Sequence, residues 1–383
     1  MLLSAATVAC QAVEHVQAGR EMSAAVDELL SWESLTIGAG IDATPEEVAA
    51  YLDAVTARDG GAPATPGQAR LLAELELTVA VGDPDRERRM RDLGPDDELD
   101  GAMTVNFGGR DVAGVKNIED RTYVRVGAQS IVDDVYGGDE AAVAAAARFE
   151  EDAQELPSSV GAAAGALHGN WTEIDPYLLD DYAAALHEAG GVDEAAAGRL
   201  GTALVDGASL LVPETQLALA DALGDALRSG GELHRRGDAD GAEQVDVSLP
   251  AADAWRALDP LLGVMTEQLR QFGLPPLVTA PDEEDGGRVT ARLQIRNGVL
   301  TDATVDLAQF GGAAAAAEAA DGASALPLHL SLAGGSALSL KPPESDGPLD
   351  PAELTVALMY LRVQAEERAE DPDRADVPGP MQP

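Results

Sequence analysis

Residues 288–305 read RVTARLQIRNGVLTDATV, and this stretch decides the fold. Apolar side chains alternate with polar ones from Val289 to Ile295, which is the period of a β-strand with one buried face. Asn297-Gly298 follows, and such a pair is a strong local signal for a tight turn between antiparallel strands. The stretch therefore predicts a β-hairpin with one aliphatic face and one charged face.

The register of this hairpin depends on the length of its loop. A two-residue turn would place Leu293 opposite Asp302 and would mix the two faces. A three-residue loop, residues 296–298, would instead pair Ile295 with Val299 and keep the aliphatic face continuous. Because a slip of one residue exchanges the faces of a strand, the pattern favours the three-residue loop.

Working outward, strand-like and helix-like segments fill most of the remaining chain. Strand patterns occur at 33–42, 75–81, 103–109, 112–118, 122–126, 171–175, 232–236, 243–249, 326–332 and 337–340. Helical patterns occur at 11–30, 139–156, 177–228, 251–272 and 351–369, and after the capping signals at Thr44-Pro45 and Thr65-Pro66. These segments predict an α+β fold, a large curved antiparallel sheet (a half-barrel) with helices packed on one face.

The same segments predict three regions. Residues 1–30 would form a truncated lipoprotein signal or tether and the N-terminal helix, and residues 31–368 a single half-barrel domain. Residues 369–383 are acidic and rich in proline, which predicts a disordered tail. A helical insert is expected around 139–230, and the sequence leaves open whether it forms a separate lobe.

Composition limits the classes of partner. The net charge is −43, and such a surface repels nucleic acid and anionic lipid headgroups, so no nucleic-acid partner is expected. Hydrophobic residues make up 45% of the chain but aromatic residues only 3%, so the core must be mainly aliphatic.

No motif supports catalysis, a metal site or a cofactor. Residues 38–43 match a dinucleotide-binding pattern, but the following helix begins behind its own cap at Thr44 rather than at the glycines. The five histidines are scattered singly. Residues 238–241 resemble half of a calcium loop, yet the acidic residue needed at the twelfth position is missing, which favours a simple turn. The sequence therefore predicts a protein that is not an enzyme.

Cys10 is the only cysteine of the chain and ends a short apolar opening. Its position is typical of the lipid-modified residue of a bacterial lipoprotein, which would anchor the protein on the outer face of the membrane. In the alternative, residues 1–10 are the first turns of a helix, Cys10 is a small buried apolar residue and the protein is cytoplasmic.

Several segments together resemble putative secreted lipoproteins of streptomycete-type actinobacteria. They are residues 34–45, 105–109, 120–125, 156–157, 169–175 and 297–302, within a resemblance that runs from about Ala12 to Leu361. A curved sheet that cradles helices is also similar to lipoprotein carriers of the LolA, LppX and LprG kind. Those proteins hold acyl chains between a half-barrel and its helices, and the likeness implies a non-enzymatic carrier of a lipid or other apolar ligand.

On that hypothesis the aliphatic face of the sheet would line the ligand cavity. The predicted lining residues are Val105, Phe107, Tyr123, Val245, Val247, Val289, Leu293, Ile295, Val299 and Val305. The alternative is that these residues are ordinary core and that the protein is an envelope-associated interaction module with a filled core. The membrane, through the lipid anchor, and the apolar ligand are the expected partners, and the oligomeric state stays open.

Overall fold

A computed structural model describes residues 17–58, 63–94, 97–135, 138–199, 231–239, 241–259, 274, 276–278, 287–311, 325–345 and 347–370. The chain divides into two compact units, each built from two separate segments. The first unit combines Met1–Asp120 with Asp206–Pro342, and the second combines Arg121–Val205 with Pro343–Pro383.

The strands and helices alternate irregularly along the described chain. The strands are β1 Ser34–Ile41, β2 Leu75–Gly82, β3 Asp100–Phe107, β4 Arg110–Ile118, β5 Arg121–Val126, β6 Thr172–Ile174, β7 Glu232–Ala239, β8 Ala242–Pro250, β9 Arg288–Arg296, β10 Val299–Asp306 and β11 Pro327–Gly334. The helices are α1 17–29, α2 Pro45–Arg58, α3 Pro66–Glu74, α4 Glu140–Gln154, α5 Gly161–Leu167, α6 Leu179–Glu188, α7 194–199, α8 251–259 and α9 Pro351–Glu370. Short helical turns occupy 90–92, 128–135, 158–160, 176–178 and 307–311.

The first unit is built on an antiparallel sheet whose nine strands run in the order β4-β3-β2-β1-β11-β10-β9-β8-β7. All of its neighbouring strands are antiparallel. The prediction of an α+β fold with a large antiparallel sheet is confirmed. Gly38 and Gly40 lie inside β1, paired with both β2 and β11, and not in a loop before a helix.

The hairpin of β9 and β10 has the predicted strands, but its predicted register is wrong. The turn has two residues: Asn297 and Gly298 both take positive φ, 53° and 79°, and Val299 pairs with Arg296. The pairing shifts at a β-bulge between Leu300 and Asp302. This bulge absorbs one residue and keeps the aliphatic face continuous. The sequence analysis predicts a three-residue loop for the same purpose.

The hairpin of β7 and β8 also differs from expectation. The sequence predicts strands at 232–236 and 243–249 with a turn between them, but β7 extends to Ala239 and β8 begins at Ala242. The pairing shifts between Arg235 and Gly237, where Gly237 takes φ 102°. Because glycine adopts positive φ without steric cost, it bends the strand there instead of ending it.

Two predicted helix caps are confirmed. The Thr44 hydroxyl accepts a hydrogen bond of 3.3 Å from the Glu47 amide, and the Thr44 amide donates one of 2.8 Å to the Glu47 carboxylate. Thr65 and Gln68 form the same reciprocal pair at the start of α3. Such caps satisfy the free amides of the first helical turn and fix where each helix begins.

The second unit joins β5, β6 and helices α4 to α7 with the C-terminal helix α9. The part of the predicted insert at 139–199 falls in this unit, and residues 200–230 lie outside the described residues. Its core includes Leu354, Ala357, Leu358 and Leu361 of α9, packed with apolar residues of the other helices. Tyr182 links α6 to the segment just before α9, because its hydroxyl donates a hydrogen bond of 2.8 Å to the Leu349 carbonyl.

Candidate functional site

All but one of the predicted lining residues of the first unit share one face of the sheet, because residues directly opposite each other in neighbouring strands point to the same side. The exception is Val299, which pairs with Arg296, while its neighbour Leu300 pairs with Ile295. One such row crosses seven strands and contains Val245, Leu293, Ala303, Leu330, Ala39, Leu77 and Val105. The row is aliphatic throughout, as the sequence pattern required.

The structure brings only part of the predicted set together. Seven of the ten residues lie on the neighbouring strands β8, β9 and β10. Val105 and Phe107 lie on β3, five strand spacings from β9 in the sheet order, or about 24 Å at 4.8 Å per spacing. Tyr123 belongs to the second unit, where it is buried and pairs with Glu173.

Helix α1 covers the aliphatic face where β8, β9 and β10 meet. Its residues Ala18, Ala25 and Leu29 form one buried cluster with the strand side chains. The strand members are Val245, Ile295 and Leu300, and Val26, Leu35, Leu233, Leu293, Val299 and Leu332 pack around them. Four predicted lining residues therefore contact protein side chains here, and their role in binding a ligand stays a prediction.

An open cleft of about 410 Å³ lies beside this cluster, between α1 and the turns of two hairpins. Its lining residues are Glu21, Ala24, Asp238, Gly241, Glu243, Ile295, Asn297 and Gly298. Three of the eight carry carboxylates, and Ile295 joins the cleft to the aliphatic cluster. The cleft thus has an acidic lining with an apolar side chain at one point.

Two of these carboxyl groups lie close together beside one arginine. Arg235 Nε lies 2.7 Å from Glu243 Oε1 and 3.9 Å from Glu21 Oε2. Burial raises the pKa of Glu243, and the hydrogen bond with Glu21 and the negative charge of Glu21 raise it further. The pKa of Glu21 is lowered, first by the hydrogen bond from Gln17 and then by the one from Glu243. The pKa values of the two carboxyl groups therefore move in opposite directions, and Glu243 keeps its proton to a higher pH than Glu21 does.

The two carboxyl groups share a single arginine as their ion-pair partner. Glu21 Oε2 and Glu243 Oε1 are both buried, and Arg235 is the ion-pair partner of each, at 3.9 Å and 2.7 Å. Buried carboxylate oxygens usually accept several hydrogen bonds. A ligand in the cleft that carries hydrogen-bond donors would add to those that Arg235 supplies. An ammonium or amine group of a ligand supplies such N–H donors.

In the part of the chain that the structure describes, no three His, Cys, Asp or Glu side chains are grouped to hold a metal ion. Asp238 lies in the cleft lining, while Asp240 of the half calcium loop lies outside the described residues.

Sequence reasoning missed most of the cleft. The turn signals at Asn297-Gly298 and around Gly241 were recognised, but nothing in the sequence indicated that both turns face α1. Glu21 and Glu243 are 222 positions apart, and no local pattern connects them. Only the pairing of β8 with β9 places the two turns at one end of the sheet.

No protein-family model matches this chain, and no curated protein sequence is significantly similar to it. None of the described helices has the length and apolar character required to cross a membrane. Cys10, the predicted lipidation site, lies outside the described residues.

Proposed function

We propose that this chain is a non-enzymatic binding protein of the cell envelope that takes an apolar ligand with a cationic group into the cleft beside α1. The observation that carries the proposal is the pair of carboxyl groups of Glu21 and Glu243, which line the cleft together beside one arginine, Arg235. The volume of about 410 Å³ supports it, because small-molecule sites usually enclose roughly 300–1,000 Å³.

The apolar part of the ligand would enter along Ile295 toward the aliphatic cluster under α1. Two of the three buried α1 residues in that cluster, Ala18 and Ala25, are alanines. Each buried methyl group contributes only about 0.8 kcal/mol, so the helix is held mainly by Leu29 and Val26. Replacing these small contacts with a ligand chain would cost little free energy. We therefore expect α1 to be the element that moves when the ligand enters.

The cell-envelope location rests on the sequence alone. Cys10 ends an apolar opening and would carry the lipid that anchors the protein to the outer face of the membrane. The streptomycete-type lipoprotein resemblance points the same way, and metabolic labelling with a fatty-acid analogue, with and without Cys10→Ser, tests it.

Binding of dodecylamine tests the ligand chemistry directly. This probe combines an apolar chain with an ammonium group, and dodecanoate is the comparison with the opposite charge. We expect dodecylamine, titrated below its micelle concentration, to bind at 1:1 stoichiometry and at least about tenfold more tightly than dodecanoate, a difference of about 1.4 kcal/mol. Glu21→Gln combined with Glu243→Gln should remove that preference.

A matched pair of variants separates the cleft from general attraction to an acidic surface. Ala24 lines the cleft and is exposed, so Ala24→Trp fills the space without disturbing the core. Ser23, the preceding residue of α1, is also exposed but does not line the cleft, so Ser23→Trp is the control. Equal affinity of the two variants for dodecylamine would refute the proposal.

The second candidate function is an envelope-associated interaction module with a filled core. The packing of α1 on Val245, Ile295 and Leu300 favours it, because that packing occupies part of the face predicted to hold a ligand. Native mass spectrometry of protein expressed in an actinobacterial host distinguishes the two. A stoichiometric lipid-sized adduct supports the carrier, and an apoprotein mass in every preparation supports the filled core.

A further inference from the structure

Helix α9 has two apolar faces, and only one is buried in its unit. Leu354, Ala357, Leu358 and Leu361 form the buried face. On the other side, Val356, Met359, Tyr360 and Val363 are 43%, 57%, 48% and 52% exposed. An amphipathic surface helix normally carries polar residues on its solvent side, so this second face is unusual.

The four exposed residues, which we call the α9 stripe, form a continuous surface. Their spacing of three, one and three positions places them within an arc of about 100° on the helix. They are four of the seven large apolar residues exposed among those described. Such a concentration of exposed apolar side chains within eight positions of one helix is typical of a surface that binds another helix.

The same side of α9 becomes acidic toward its C-terminus. Glu366, Glu367 and Glu370 are exposed and follow Val363 at spacings of three, four and seven positions. Arg362 offsets one of them, because its Nε lies 3.1 Å from Glu366 Oε1. The C-terminal end of a helix already carries partial negative charge and favours cations, so these glutamates leave a negative potential that a basic partner would relieve.

We infer that the α9 stripe docks an amphipathic helix of a partner protein, with apolar residues against the stripe and Lys or Arg against Glu366, Glu367 and Glu370. A second copy of this chain fits poorly. Parallel pairing of two stripes would bring the acidic ends of the two helices together. The net charge of −43 adds general repulsion.

The test uses the full chain and a synthetic 20-residue helical peptide, with Leu at spacings of three and four and four Lys or Arg at one end. A second peptide carries Glu in place of the basic residues. Fluorescence anisotropy should show 1:1 binding of the basic peptide, at least about tenfold tighter than the acidic one and weaker at high salt. Met359→Ser combined with Val363→Ser should weaken it at least about tenfold, and Glu366→Gln with Glu367→Gln at least about threefold.

Tyr177→Ser is the control, because Tyr177 is 94% exposed but lies on a different element of the same unit. Its affinity for the basic peptide should match that of the unchanged protein. The inference is overturned if no saturable binding occurs, if the stripe variant binds as well as the control, or if both peptides bind equally. A doubled mass in light scattering that the stripe variant abolishes would also overturn it, because the occupant would then be a second copy. None of these outcomes bears on the cleft beside α1.

Discussion

Replacement of Leu29 by alanine tests whether α1 is held on the sheet by a few large side chains. Leu29 is 4% exposed and contacts the cluster of Val245, Ile295 and Leu300. Core Leu→Ala changes cost about 2–5 kcal/mol, and a position at the last turn of a helix can relax, which indicates about 2–3 kcal/mol. The free energy for opening α1 should fall by that amount.

Hydrogen exchange measured by mass spectrometry reports this opening. A loss of about 2–3 kcal/mol corresponds to about 30- to 160-fold faster exchange of the α1 amides. Leu361→Ala in α9 is the control, since Leu361 is also buried, at 6% exposure, but belongs to the other unit. Unchanged protection of α1 in Leu29→Ala, or an equal effect of the control, would refute the argument that Leu29 holds the helix.

Two further predictions follow from contacts in the first unit. The raised pKa of Glu243 means that the folded state binds a proton more tightly than the unfolded chain, so stability should fall as the pH rises above about 4.5 and level off beyond the folded pKa. Urea unfolding from pH 4 to pH 8 should show this decline, and Glu243→Gln should remove it; an unchanged decline would assign it to other groups. In Gly334→Ala the added methyl would lie 2.2 Å from Trp32 Cδ1, so the indole must move, and near-ultraviolet circular dichroism should change. Gly67→Ala, which meets no atom within 4 Å, should leave that spectrum unaltered, and identical spectra for all three proteins would contradict the contact.

Local sequence patterns predicted the elements of this fold because their signals lie within a few residues. The alternation from Val289 to Ile295 identified a strand and its buried face, and Thr44 and Thr65 marked helix starts that the hydrogen bonds confirm. The register was wrong because a bulge near Thr301 and a longer loop both preserve the aliphatic face. Alternation alone cannot distinguish the two.

The candidate site was harder to predict because it depends on contacts between distant residues. The aliphatic face was recognised, but nothing local indicates that α1 packs on it through Ala18 and Ala25. Glu21 and Glu243 are ordinary acidic residues among 68, and only the folded chain sets them beside Arg235. Their proximity is therefore a property of the tertiary structure.

The interleaved order of the two units has a consequence for synthesis. β1 lies in the middle of the sheet and pairs with β11, and Leu35 meets Gly334, which is 299 positions later. At about 5–20 residues per second, a ribosome needs about 15–60 s to make the intervening chain. During that time one edge of β1 lacks its native partner, and its free backbone groups are open to pairing with other chains.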